Sequence, residues 1–148
     1  MPLTHFLPAL RELASTYQAF EAHSATHIRT LDLTPAQFDI IATLGNTPGM
    51  PLKELGEKSL ITKGTLTGVV DRLTDKKLVR RVASPSDGRS QIVQLTKKGE
   101  AMFERIFPEH LTHLERAFGQ LSANELSTLE ITLRRLREAF LAERAGKA

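Results

Sequence analysis

The side chains best suited to chemistry are concentrated between residues 62 and 98. Nine bases lie there (Lys63, Arg72, Lys76, Lys77, Arg80, Arg81, Arg89, Lys97 and Lys98) against three acids (Asp71, Asp75 and Asp87), an excess of six positive charges on a chain of net charge +3. A basic region this localised on a nearly neutral chain suits a polyanionic partner. Thr62, Lys63, Gly64, Thr65 and Thr67 open a helical segment. Threonine offers a hydroxyl to phosphate or base and a methyl to thymine, and a helix N-terminus favours phosphate. Gly64 lets a nucleic-acid backbone approach closely, so these five residues are the expected major-groove readers. Arg89 lies in the polar, turn-rich run Ala83–Ser90, and an arginine at a hairpin tip suits the negative potential of a minor groove. Asp87 has the wrong sign for phosphate and is expected to hold Arg89 or a neighbouring amide, as Asx turns do. Arg72, Lys76, Lys77, Arg80 and Arg81 are expected on the phosphate backbone, where contacts position without specifying sequence.

Other chemistries find little support. Cysteine is absent, which removes disulfides, thiolate metal sites and cysteine nucleophiles. The sequence has no glycine-rich phosphate loop, nucleophile elbow or convincing carboxylate pair, so no enzymatic activity is expected. His110 and His113, three apart on a predicted helix, are the residues nearest to a metal-binding face; neither a metal site nor a cofactor is expected. No apolar run approaches the roughly 18–20 residues that span a bilayer. The N-terminus lacks a basic stretch before an apolar one, so a soluble cytoplasmic protein without membrane contact is expected. With 148 residues, 41% hydrophobic and 25% charged, the chain forms one globular domain, or a small domain carrying extra helices for a partner.

The elements that must position these residues follow from periodicity and end signals. Phe6, Leu10, Leu13, Tyr17 and Phe20 recur at spacings of three and four, marking one stripe of a first helix. Thr34, Pro35 and Gln37 form a helix start with a capping box, flanked by Leu33 and Phe38 as a hydrophobic staple. A third helix is expected from near Pro51 to about Ser59. A fourth, capped by Thr62, should run to about Lys76 with Leu66, Val69, Val70 and Leu73 inward; two short helices so close are spaced as a helix-turn-helix. Residues 78–82 and 91–95 read as strands of a hairpin. Thr96 should cap a fifth helix, kinked by Pro108. Ser122 to Glu125 form a second capping box, and Leu126, Leu129, Leu133, Leu136 and Phe140 mark the stripe of a sixth helix.

The run Arg81 to Arg89, with Asp87-x-Arg89 followed by Leu95-Thr96-x-x-Gly99, resembles the wing signature of the MarR (multiple antibiotic resistance regulator) family. Leu33-Thr34-x-x-Gln37-Phe38 resembles that family's second helix, and Val69 to Leu73 the end of its recognition helix. The resemblance spans essentially the whole chain. It implies a mainly α fold with a small β-hairpin wing: a winged helix-turn-helix over 32–96, and a helical dimerisation region over 1–31 and 97–148. It further implies a homodimer joined by the first, fifth and sixth helices through Phe6, Leu10, Leu13, Leu126, Leu129, Leu133, Leu136 and Phe140. The implied partners are double-stranded DNA with a pseudo-palindromic operator and a small, commonly aromatic, anionic effector that relieves repression. Tyr17, Phe20, His23, His27 and Phe38 are the expected lining of the effector crevice. A metal-responsive regulator of the same fold and a winged-helix protein-interaction module are the alternatives. The chain departs from the family at Lys77 and Leu60, where glycine is usual, and at Gly56, where alanine is common.

Overall fold

The computed structural model describes residues 3–146. Helix α1 (Leu7–Ile28) leads through a 3-10 turn (Arg29–Leu31) to α2 (Pro35–Leu44), strand β1 (Met50–Pro51), α3 (Leu52–Lys58) and α4 (Lys63–Asp75). Strands β2 (Val79–Ala83) and β3 (Gln91–Leu95), then α5 (Lys97–Phe118) and α6 (Ala123–Gly146), complete the order. Residues up to His113 form one compact unit, and Leu114 onward a second.

The starts of α2 and α6 obey their local chemistry. The Thr34 hydroxyl accepts from the Gln37 amide, and the Gln37 side chain accepts from the Thr34 amide. Ser122 and Glu125 repeat that exchange at α6, and these bonds hold the Glu125 carboxyl below its ordinary pKa. Thr96 caps α5 by accepting from Gly99 N–H. Helix α5 continues through Pro108 without ending.

The core of the first unit gathers Ile40, Ile41 and Leu44 from α2, Leu55 from α3, and Leu66, Val70 and Leu73 from α4. Leu78, Val79, Val93 and Leu95 around the strands and Phe103 and Ile106 from α5 complete it. Each fully buried side chain of this kind contributes about 1.5–3 kcal/mol by leaving water. Burying that stripe of α4 turns its threonine and glycine face outward.

The sheet has three antiparallel strands in the order β1–β3–β2, one more than periodicity indicates. Strand β1 is two residues long and pairs Met50 with Val93 and Pro51 with Ile92. So short a strand, ending in proline at a sheet edge, leaves no alternation to read.

Lys77 carries the turn out of α4 with φ +62°, the left-handed region. Its N–H donates to Thr74 O, and Leu78 N–H donates to Leu73 O, which together make a Schellman closure. The buried Leu78 and Leu73 supply the apolar partners such a closure favours. Lysine thus occupies a backbone position best suited to glycine. Gly99 meets a different demand, because a Cβ there would lie 2.1 Å from the Leu78 carbonyl oxygen.

Two apolar rows face solvent. On α1 and its N-cap, Phe6, Leu10, Leu13 and Tyr17 are exposed. On α6, Leu129, Leu133, Leu136 and Phe140 are exposed, Leu126 is half-buried, and no residue is buried.

Lys77→Gly relieves the left-handed lysine and is expected to raise unfolding stability by about 1 kcal/mol. Urea denaturation checks this, and a stability equal to or below that of the parent rejects the strain.

Candidate nucleic-acid interface

The candidate reading face lies on α4. Thr65 and Thr67 are exposed on the side opposite Leu66, Val70 and Leu73. Lys63 is the first residue of the helix. A Cβ at Gly64 or Gly68 would meet nothing within 4 Å, so the backbone is bare along this edge. Thr62 stands at the N-cap position but makes no side-chain cap; its hydroxyl lies 3.1 Å from that of Thr65. That pairing corrects the expected cap, and the helix start is closed by Thr65 and Leu66 N–H donating to Thr62 O.

Asp39 on α2 holds the turn between α3 and α4. Its carboxylate accepts from Leu60 N–H at 2.7 Å and from the Thr43 hydroxyl. Burial raises the Asp39 pKa, opposed by those two bonds. This residue escaped sequence reasoning; the available signal was the single acid of the run Pro35–Leu44, set between Phe38 and Ile40. The bond explains how Leu60 serves where glycine is usual: its amide is fixed and its side chain stands in solvent. Gly56 packs close to α4, where a Cβ would lie 3.1 Å from Leu66 Cδ2.

The wing is the β2–β3 hairpin. Ser84 N–H donates to Ser90 O at its neck. Asp87 accepts from Arg89 N–H at 3.1 Å and from the Ser90 hydroxyl at 3.1 Å. Of the two roles open to this aspartate, the structure shows the amide contact. The Arg89 guanidinium is exposed, with no hydrogen-bond or ion-pair partner among the described residues.

The other cations divide into two groups. Arg81 pairs with Asp71 of α4 at 2.8 Å, tying the root of the wing to that helix. Arg80 Nε donates to Gln94 Oε1, and Gln94 donates on to Pro48 O. Lys76 reaches Asp32 O and Gln37 Oε1, and Lys98 reaches Lys76 O. Arg72 and Lys77 are exposed, and no such contact of their side chains is seen among the described residues. A half-exposed pair such as Arg81 and Asp71 contributes at most about 1 kcal/mol, so its effect is chiefly orientation.

A second polar cluster lies where α1 meets α5. His23 donates from Nε2 to His113 O, and His113 donates from Nε2 to His23 O. His27 Nδ1 and His110 Nδ1 are 2.9 Å apart, and His110 Nε2 meets the Ser24 hydroxyl. Phe38 packs its ring 4.4 Å from that of His110. Of the five residues expected to line an effector crevice, His23, His27 and Phe38 join this cluster, whereas Tyr17 and Phe20 pair with each other along α1. Burial, followed by repulsion from His27, His113 and His23, lowers the His110 pKa from 6.5 to about 4. No group of three or more His, Cys, Asp or Glu side chains that could hold a metal ion occurs among the described residues.

Three packed helices and an arginine-tipped hairpin define a winged helix-turn-helix, a DNA-binding architecture. The pattern described as MarR family matches residues 33–91. The chain is 33% identical over 124 residues to the HTH-type transcriptional regulator MhqR of Bacillus subtilis (strain 168), covering 84% of this chain and 86% of that protein. It is 31% identical over 140 residues to the homoprotocatechuate degradative operon repressor of Escherichia coli, covering 95% and 88%. Among solved structures, Bordetella bronchiseptica BpsR, whose DNA binding is regulated by 6-hydroxynicotinic acid, superposes with a TM-score of 0.75. It shares 27% identity, with 93% of this chain and 96% of that one covered. A mutant of E. coli MarR complexed with operator DNA gives a TM-score of 0.73 at 26% identity, with 92% and 99% covered. The chain belongs to the MarR family and is a DNA-binding transcriptional regulator, not an enzyme.

The lowered His110 pKa sets a pH dependence of stability. Between pH 6.5 and about 4 the unfolded chain takes up a proton that folded His110 refuses. Stability is therefore full above pH 6.5 and declines as pH falls toward 4. The thermal midpoint is expected to drop across that window and His110→Phe to flatten the drop; an equally steep profile in the variant refutes the assignment.

Proposed function

We propose that this chain is a homodimeric repressor that binds a pseudo-palindromic operator and leaves it when a small aromatic anion binds. The observation that carries the DNA half is the bare edge of α4, together with the unpartnered guanidinium of Arg89, on one basic lobe. Thr62, Lys63, Gly64, Thr65 and Thr67 read the major groove, and Arg89 enters the adjacent minor groove with Asp87 setting its backbone. Arg72 and Lys77 meet phosphate directly. Lys76, Arg80 and Arg81 add positive potential from tethered positions. Residues 32–96 are the DNA-binding lobe, while 1–31 and 97–148 serve dimerisation.

The exposed rows on α1 and α6 support the dimer. Apolar side chains at helical spacing in solvent are uncommon on a monomer and usual at an interface. A two-fold dimer presents two α4 helices and two wings, which matches two half-sites about one helical turn apart. Repression is supported by the name of the E. coli relative, and an aromatic acid effector by the regulation of BpsR. Tyr17, Phe20, His23, His27 and Phe38 are the proposed lining of the effector crevice. No helix of the described residues is long and apolar enough to cross a membrane, in keeping with action in the cytoplasm.

Selection of bound fragments from genomic DNA tests the reading. A palindromic motif whose affinity falls steeply with salt supports it, and salt-insensitive or undetectable binding sinks it in favour of a protein-docking wing. Arg89→Ala is expected to weaken operator binding by about 1–3 kcal/mol, read by fluorescence anisotropy at fixed salt. Unaltered affinity removes the wing from the interface. Leu133→Glu is expected to shift the chain to monomer in sedimentation, and an intact dimer removes α6 from the contact.

A further inference from the structure

Among the described residues from 32 to 96, Leu60 is the one large apolar side chain left in solvent, 71% exposed. The other exposed apolar residues lie before residue 18 or after residue 110, so Leu60 belongs to neither apolar row of α1 and α6. It sits in the turn between α3 and α4. Ser59 and Thr62 are extended there, and side chains alternate in direction along extended backbone. Ser59 is buried, Leu60 stands out, and Ile61 packs against the core. Backbone strain does not explain the leucine, because the non-glycine residues at positive φ are Asp32, Asn46 and Lys77. Core packing does not explain it either, since a side chain that stays in water adds little to folding. Exposed turns ordinarily take Gly, Asn, Asp or Ser. Yet the leucine is firmly placed. Its N–H donates to the half-buried Asp39 carboxylate at 2.7 Å, a bond that persists although burial disfavours the charge.

We infer that Leu60 determines sequence specificity, through an apolar contact with the C5-methyl group of a thymine in the major groove. The inference rests on the reading that puts the start of α4 in that groove. Leu60 lies two positions before Thr62, so their Cα atoms are at most about 7 Å apart. The Thr62 hydroxyl meets that of Thr65 at 3.1 Å, so leucine and threonines share one end of the helix. That end is the one a helix-turn-helix turns toward base edges. In the major groove the thymine methyl is the apolar feature; the other base-edge groups are hydrogen-bond donors or acceptors, which leucine cannot satisfy. Phosphate offers leucine nothing for the same reason, and a contact with deoxyribose carries no sequence information. The bond to Asp39 places the Leu60 backbone before DNA arrives, which lowers the cost of ordering it in the complex.

The probe is the tightest-binding duplex from the genomic selection, with its thymines replaced one at a time by deoxyuridine, which lacks only the methyl group. Affinity for the full chain is read by fluorescence anisotropy at fixed salt. Replacing one particular thymine of a half-site is expected to weaken binding about fourfold, the worth of one buried methyl group. Leu60→Ala is expected to weaken binding to the thymine duplex by a similar factor and to lose all response to that deoxyuridine. The two changes are then non-additive, as partners in one contact must be. Its thermal midpoint should match the parent, because the side chain removed is exposed. A duplex in which no thymine responds overturns the contact, as does a Leu60→Ala chain that keeps the full deoxyuridine penalty. An equal loss on thymine and deoxyuridine duplexes marks a sugar contact and overturns it too. Thr65→Ala and Thr67→Ala separate this inference from the reading beneath it. If they weaken binding and Leu60→Ala does not, Leu60 alone is excluded. If none of the three alters affinity, α4 does not enter the groove and both readings fall.

Discussion

Leu78 is the residue on which the winged helix-turn-helix turns. Its N–H closes α4 by donating to Leu73 O, and its carbonyl accepts from Thr96 N–H. Its side chain is buried beside Val79 and Leu73. Gly99 lies so close to that carbonyl that no side chain fits. One residue therefore ends α4, begins the wing and seats α5. Because the polar groups are satisfied and the apolar ones buried, the angle between helix and wing is held by backbone bonds rather than by flexible side chains. The basic residues of the lobe inherit their positions from this junction.

Positive charge on that lobe has two functions, separated by whether a partner is present. Arg81, Arg80 and Lys76 are held by Asp71, Gln94, Asp32 and Gln37. They stiffen the link from wing to α4, the pairing of β2 with β3 within the wing, and the link from α4 to α2. Among the described residues Arg89 has no such tether for its guanidinium, though its backbone is fixed by Asp87. A fixed backbone with an uncommitted side chain lowers the entropy cost of any contact that arginine makes without using up its donors. The same division appears on α4, where Thr65 and Thr67 are free of core packing because Leu66, Val70 and Leu73 provide it.

The histidine seam sets a second constraint, between α1 and α5. Its contacts are polar and sit beside Phe38 of α2, a helix that packs against α4. A change in these rings is therefore felt next to an element that packs against α4.

Much of this architecture was legible in the order of residues, because the signals were local. The capping boxes at Thr34 and Ser122, the apolar periods of α2, α4 and α6, the turn chemistry before Arg89 and the Thr96 cap each rest on residues within one or two turns of chain. Three things were not legible. Strand β1 is too short to carry a period. Asp39 acts on an amide 21 residues away. His23 and His27 meet His110 and His113 only when α1 lies against α5. By itself the sequence determined which segments are helical, which faces are apolar and where the positive charge is concentrated, since those properties follow from neighbours in the chain. Tertiary structure alone decided which cations are tethered, which remain free and which imidazoles converge. Those depend on distances between segments, and packing sets such distances where local periodicity cannot.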